Sequence, residues 1–147
     1  MRKQFKLNSI IRIIDANINR SKEGLRVCEE ISRFLLEDRL LTRELKNARH
    51  RISSLLGSLV SRKDLLGCRY STEDIGMNIL GQELKRADVE DIFIANFQRV
   101  KESIRVLEEF SKLLNKQAAI GFKKMRYRLY ETEKKALKKI TALSHIR

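Results

Sequence analysis

A chain of 147 residues is long enough to bury a core without disulfide or metal staples, and its two cysteines and two histidines exclude a cluster of thiolate and imidazole ligands. With no proline, 6% aromatic and 35% charged residues, the composition favours helix over sheet, and no apolar run reaches the length of a membrane span. The net charge of +13 suggests nucleic acid as a partner, but residues 1–13 hold four basic residues and no acid, residues 122–147 hold nine against two acids, and residues 14–121 are nearly balanced at 19 against 17.

In chain order, Asn8 or Ser9 is placed to cap a first helix running to about Glu37, whose apolar face opens with Ile10, Ile11, Ile13 and Ile14. Asp38 or Thr42 caps a second helix, to about Arg62. Helical periodicity lapses over residues 63–87, where Gly67, Gly76, Gly81, Ser71, Thr72, Asp74 and Asn78 supply turn chemistry. The scatter of Leu65, Leu66, Ile75, Met77, Ile79 and Leu80 predicts that this long crossover is ordered against the helices. Asp88 opens a third helix that ends near Asn115, and a fourth runs from about Gln117 to Leu143.

Two of these helices repeat. Ala16–Phe34 and Ala95–Leu113 are identical at ten of nineteen positions at a constant offset of 79, and Ala48-Arg-His-Arg-Ile52 is echoed by Met125-Arg-Tyr-Arg-Leu129 at an offset of 77. The expected fold is therefore all-α: a four-helix bundle of two duplicated hairpins with approximate internal twofold symmetry and a long ordered crossover loop. One domain spans residues 1–147, with repeat one at about 9–62, the crossover at about 63–87 and repeat two at about 88–143.

At 100° per residue, Asn17, Arg20 and Gly24 share a stripe with Ile13, Cys28, Ile31 and Leu35, and Asn96, Arg99 and Ser103 share one with Ile92, Leu107, Phe110 and Leu114. An arginine among apolar neighbours calls for a carboxylate or an anionic ligand. Arg20, Arg49, Arg99 and Arg126 come from four helices and are candidates for clamping phosphate or carboxylate, which the planar guanidinium matches with two hydrogen bonds. Asn17 and Asn96, with Asp15, Glu23 and Glu102, carry oxygens of the kind Mg²⁺ takes beside phosphates. Arg26 and Arg105 lie on the opposite helix face, at ion-pair spacing from Glu23, Glu29 and Glu30 and from Glu102, Glu108 and Glu109. In the crossover, Arg69, Ser71, Asp74 and Gly76 place polar groups on irregular backbone. Neither glycine-rich nucleotide signature is present, and no nucleophile-and-base arrangement can be assembled.

The run Ile14-Asp-Ala-Asn-Ile-Asn-Arg-Ser-Lys-Glu-Gly-Leu-Arg26, the Arg49-His50 pair, the Arg69 to Gly76 loop, Ala95-Asn-x-x-Arg-x-x-Glu-x-x-Arg-Val-Leu-Glu-Glu109 and Arg126-Tyr-Arg-Leu-Tyr-Glu-Thr-Glu-Lys134 together resemble one family. It is the small hydroxymethylpyrimidine-phosphate kinase that in many bacteria is fused ahead of thiamine-phosphate synthase and elsewhere stands alone. The two thiols, in no C-x-x-C arrangement, suit the reducing cytoplasm as the expected location, and the resemblance implies an enzyme of thiamine biosynthesis that uses ATP and Mg²⁺ to phosphorylate 4-amino-5-hydroxymethyl-2-methylpyrimidine phosphate to the diphosphate. Under that reading Arg20, Arg49, Arg99 and Arg126 are catalytic clamps and Asp15, Asn17 and Asn96 hold the metal. Asn17, Asn96, Glu23, Glu102, Gly24, His50, Arg69, Asp74, Gly76, Arg26 and Arg105 bind the pyrimidine and the nucleotide. Tyr70 and Met77 depart from the family pattern, and no synthase barrel follows, so a separate thiamine-phosphate synthase is the expected functional partner. A basic helical nucleic-acid-binding protein and an all-helical mutase acting on an anionic small molecule are the alternatives; membrane attachment is not expected, and homo-oligomer formation stays open.

Overall fold

The computed structural model describes residues 2–78 and 81–144, which form five α-helices and no strand. Helix α1 (Arg2–Glu30) continues through a π-helical turn, Ile31–Leu35, and the chain then reverses into α2 (Arg39–Gly57). A short α3 (Arg62–Gly67) lies in the crossover, and α4 (Val89–Ser111) and α5 (Lys116–Ser144) complete the bundle. Three of the starts follow from short polar residues in extended backbone: Asp38, Ser61 and Asp88 each accept from the N–H three residues on, at 2.9, 3.1 and 2.9 Å. Asn115 does the same for α5, accepting from Gln117 and Ala118 at 2.9 and 3.2 Å. Asn8 and Ser9 are not caps, because α1 already begins at Arg2 and carries them inside it.

α1 and α4 run antiparallel through the centre, as Gly24 meets Asn96 and Val100 while Cys28, a turn later, meets Phe93. Both helices bury the same register: Ile14, Ile18, Ser21, Leu25, Cys28 and Ser32 on one, Phe93, Phe97, Val100, Ile104, Leu107 and Ser111 on the other, each pair separated by the repeat offset. α2 and α5 follow suit with Leu41, Leu45 and Ile52 against Ala118, Phe122 and Leu129. The buried stripe is turned from the one expected. Arg20 sits roughly 120–160° around α1 from Ile14 and Ile18, so it faces outward and is exposed, as is Arg99 on α4. Among the described residues no arginine is classed as buried; what the core buries instead is carboxylate, at Asp15, Glu29 and Glu108.

The crossover also departs from expectation. α3 docks through Leu65, whereas Leu66, Ile75 and Met77 are exposed, Ile75 almost completely at 99%. Ile79 and Leu80 lie outside the described residues. Residues 71–78 project from the bundle as a surface loop, with two consecutive turns in place of apolar anchoring.

Burial in the α1–α4 seam pushes the Cys28 thiol up to about 12, with the charge of Glu133 adding to it. The thiolate is the reactive species, so Cys28 is inert in the folded chain while half-buried Cys68 is accessible. Titration with a chromogenic disulfide at pH 8 should find one thiol in native protein and the second only in denaturant; two fast thiols would mean that the seam opens.

Candidate functional site

A concavity of about 660 Å³ lies between α1 and the start of the crossover loop. One wall is a helical stripe of Ser9, Arg12, Ala16, Asn19, Arg20 and Glu23; the other is Arg69, Tyr70, Ser71 and Asp74. The two walls are joined by a fork. Arg69 donates from Nε and Nη2 to the two oxygens of buried Asp15 at 2.8 and 2.7 Å, which raises the guanidinium's pKa above its ordinary value. Asn19 adds a hydrogen bond to the same carboxylate at 3.3 Å. In the loop, Asp74 accepts from the Gly76 N–H at 2.8 Å, a turn that sets its carboxylate at the rim.

With Asp15 and Arg69 neutralising one another, Arg12 and Arg20 are the cations left facing the cavity. Arg12 lies over the Tyr70 ring, 5.9 Å from its centroid. Arg20 is exposed into the cavity and has no acid partner among the described residues. Such a wall can take an oxygen-rich anion with a flat ring beside it. Arg12, Ser9, Asn19 and Tyr70 are not among the sequence candidates. The signal for Arg12 was there, since it sits two helical turns before Arg20.

The remaining candidates are placed elsewhere. Asn96, Arg99, Glu102 and Gly24 line a separate concavity of about 490 Å³ with Arg86, and Glu23 borders both. Arg49 donates to Glu29 and Arg126 to Glu108, each through Nε at 3.0 Å, and each carboxylate is buried. Arg126 also donates to the Tyr130 hydroxyl at 2.9 Å. Arg26 pairs with Glu29 and Glu30 at 3.5 and 3.2 Å, and Arg105 with Glu108 and Glu109 at 3.2 and 2.8 Å, so the two repeats carry the same ion-pair pattern. His50 is exposed on α2. The four arginines expected to clamp phosphate thus do not meet in one cavity.

Nor do Asp15, Asn17 and Asn96 form one magnesium site. Both oxygens of Asp15 are held by Arg69, the Asn17 and Asn96 amides donate back to the carbonyls of Ile13 and Ile92 at 2.8 Å each, and the two asparagines line different concavities. Among the described residues no three His, Cys, Asp or Glu side chains gather as metal ligands.

A sequence profile of the ThiD2 family matches residues 12–135, most of the chain. The chain belongs to the ThiD2 family. It is 40% identical over 126 residues to a thiamine-phosphate synthase of Synechocystis sp., covering 85% of this chain and 35% of that protein. A thiamine-phosphate synthase of Rhodopirellula baltica is 34% identical over 137 residues (92% of this chain, 36% of that one), and one of Nostoc punctiforme is 38% identical over 125 residues (84% and 34%). The chain thus spans about a third of the length of the curated relatives it matches. No solved structure matches it.

These names correct the activity inferred from the resemblance. The relatives of this ThiD2-family chain are named for synthesis of thiamine phosphate, a reaction different from ATP-dependent phosphorylation of a pyrimidine phosphate, so the kinase assignment does not stand. Nothing in those names supports ATP or magnesium. Among the described residues no helix is long and apolar enough to cross a membrane.

Proposed function

We propose that this chain is a phosphate-binding helical domain serving thiamine-phosphate synthesis, and that the concavity between α1 and residues 69–74 holds a phosphorylated heteroaromatic molecule of that route. One observation carries the reading: Arg20 lines the cavity without an acid partner among the described residues, while the neighbouring Arg69 is paired with Asp15. A free guanidinium fork suits a phosphate, Tyr70 offers a ring face, and the Asp15–Arg69 fork holds the loop that closes the wall. Family membership and the relatives' names supply the route; a pyrimidine phosphate and thiamine phosphate are the substrate-class candidates, with a thiamine-phosphate synthase as functional partner.

Calorimetric titration of the full chain with thiamine phosphate and with the hydroxymethylpyrimidine phosphate, each against its dephosphorylated form, tests this. At least one phosphorylated form should bind more tightly than its parent, and Arg20→Ala should weaken it by about 10- to 100-fold, the worth of a charged hydrogen bond of roughly 1.5–3 kcal/mol. Arg99→Ala, in the other concavity, should leave it unchanged. Equal affinity with and without the phosphate, or an Arg20→Ala variant that binds like wild type, would overturn the proposal.

A further inference from the structure

The net charge is not spread over the bundle. α2 and α5 hold 14 Lys and Arg against three acids, whereas α1 and α4 hold ten against nine. In sequence this excess looked terminal, because α2 lies in the middle of the chain. The fold places α2 beside α5, antiparallel, with Leu55 against Gly121 and Glu44 reaching Thr132 and Lys135 at 3.2 and 3.3 Å. Between them runs a groove of about 590 Å³ that shares no residue with the concavity on α1.

The groove has a floor of Ala48, Met125 and Leu129 and a rim of Arg51, Lys124 and Arg128, which are exposed and have no acid partner among the described residues. Arg51 and Arg128 are equivalent positions of the repeat, so both helices present an arginine to the same groove. Lys135 is different, being paired with Glu44. From Lys124 to Lys135 the groove is roughly 16 Å long, about three turns of helix at 1.5 Å per residue.

We propose that this groove docks an acidic amphipathic helix of a partner protein, its apolar side on Ala48, Met125 and Leu129 and its carboxylates on Arg51, Lys124 and Arg128. Charge complementarity selects the sign of the partner, and the apolar floor selects side chains over phosphates. Nucleic acid fits less well: among the described residues that line the groove none is aromatic, so a base has nothing to stack on. The matched relatives are about three times longer than the aligned segment, so in them this domain has further protein to contact. The inference stands on the α2–α5 face alone and does not depend on the reading of the α1 concavity.

The test uses the full chain, a fluorescent 16-residue amphipathic Glu/Leu peptide, a scrambled peptide of the same composition, and 20-nucleotide single- and double-stranded DNA, followed by anisotropy. The amphipathic peptide should bind more tightly than the scrambled one and than either DNA. Raising salt from 50 to 300 mM, or the pair Arg51→Glu with Arg128→Glu, should weaken it by about tenfold, as expected for an interface steered by charge. Arg51→Ala with Arg128→Ala should give a smaller loss in the same direction, and Lys63→Glu on α3 should change it less than twofold. Circular dichroism checks that each variant is folded. No binding of the amphipathic peptide, equal binding of the scrambled peptide, tighter binding of DNA, or indifference to charge reversal at Arg51 and Arg128 would overturn the proposal.

Discussion

Arg126→Met should lower the stability of the fold by about 3 kcal/mol in urea denaturation, the lower end of what breaking a buried ion pair costs. Glu108 is 5% exposed at its side chain and Arg126 14%, so the carboxylate would keep its burial and lose its best-shielded cation. Arg126 is held more firmly protonated first by its hydrogen bond to Glu108 and then by Tyr130, and methionine removes both contacts while keeping the apolar stem. Arg105 remains within 3.2 Å of Glu108, but it is half-exposed and shared with Glu109, so solvent screens much of what it adds. The decisive control is Glu108→Gln combined with Arg126→Met, which removes the stranded charge and should recover most of the loss. A single-variant loss below about 1 kcal/mol would mean that Arg105 alone satisfies the carboxylate, as for an ordinary surface pair. The matching change at Arg49 should be milder, because Arg49 is more exposed, at 20%.

Gly24→Val should also destabilise by about 3 kcal/mol, the upper end of the cost of overpacking a well-filled core. A Cβ at Gly24 would stand 2.7 Å from Val100 Cγ2 and 2.9 Å from the carbonyl oxygen of Asn96. The first contact belongs to a side chain, but the second is backbone, so relief requires α1 and α4 to separate along their shared seam. Gly24→Ala gains roughly 1 kcal/mol of helix propensity yet meets the same two atoms, and its melting temperature should still fall. A Gly24→Ala variant as stable as wild type would show that the seam can yield. Gly121 gives a useful contrast, since the three atoms nearest to its added Cβ all belong to the Leu55 side chain and none to backbone.

Much of the bundle was legible because its causes are local. The Asp38 and Asp88 caps, the antiparallel hairpins and the i, i+3 and i, i+4 pairs of Arg26 and Arg105 follow from spacing within one helix. What spacing within one helix does not fix is an environment that depends on the neighbouring helix. Arg20 was assigned to the core face because the stripe through Ile13 and Leu35 looks as apolar as the one through Ile14 and Leu25; only contact with α4 decides between them. Asp15 and Arg69 were both singled out, one as a metal ligand and one as a ligand contact, and the fold joins them to each other across 54 residues. Ile75 and Met77 read as anchors, but both are exposed on the surface loop.

By itself, then, the sequence determined the helices and their repetition: periodicity, capping residues and two constant offsets act over a few turns of one chain segment. Tertiary structure decided which buried carboxylate meets which arginine, leaving Arg20 uncommitted in the α1 concavity and bringing Arg51 of α2 and Lys124 and Arg128 of α5 to one groove. The reason is geometric. A 100° step per residue says which side chains share a face of a helix, but only packing against a second helix says which face is buried and what it meets.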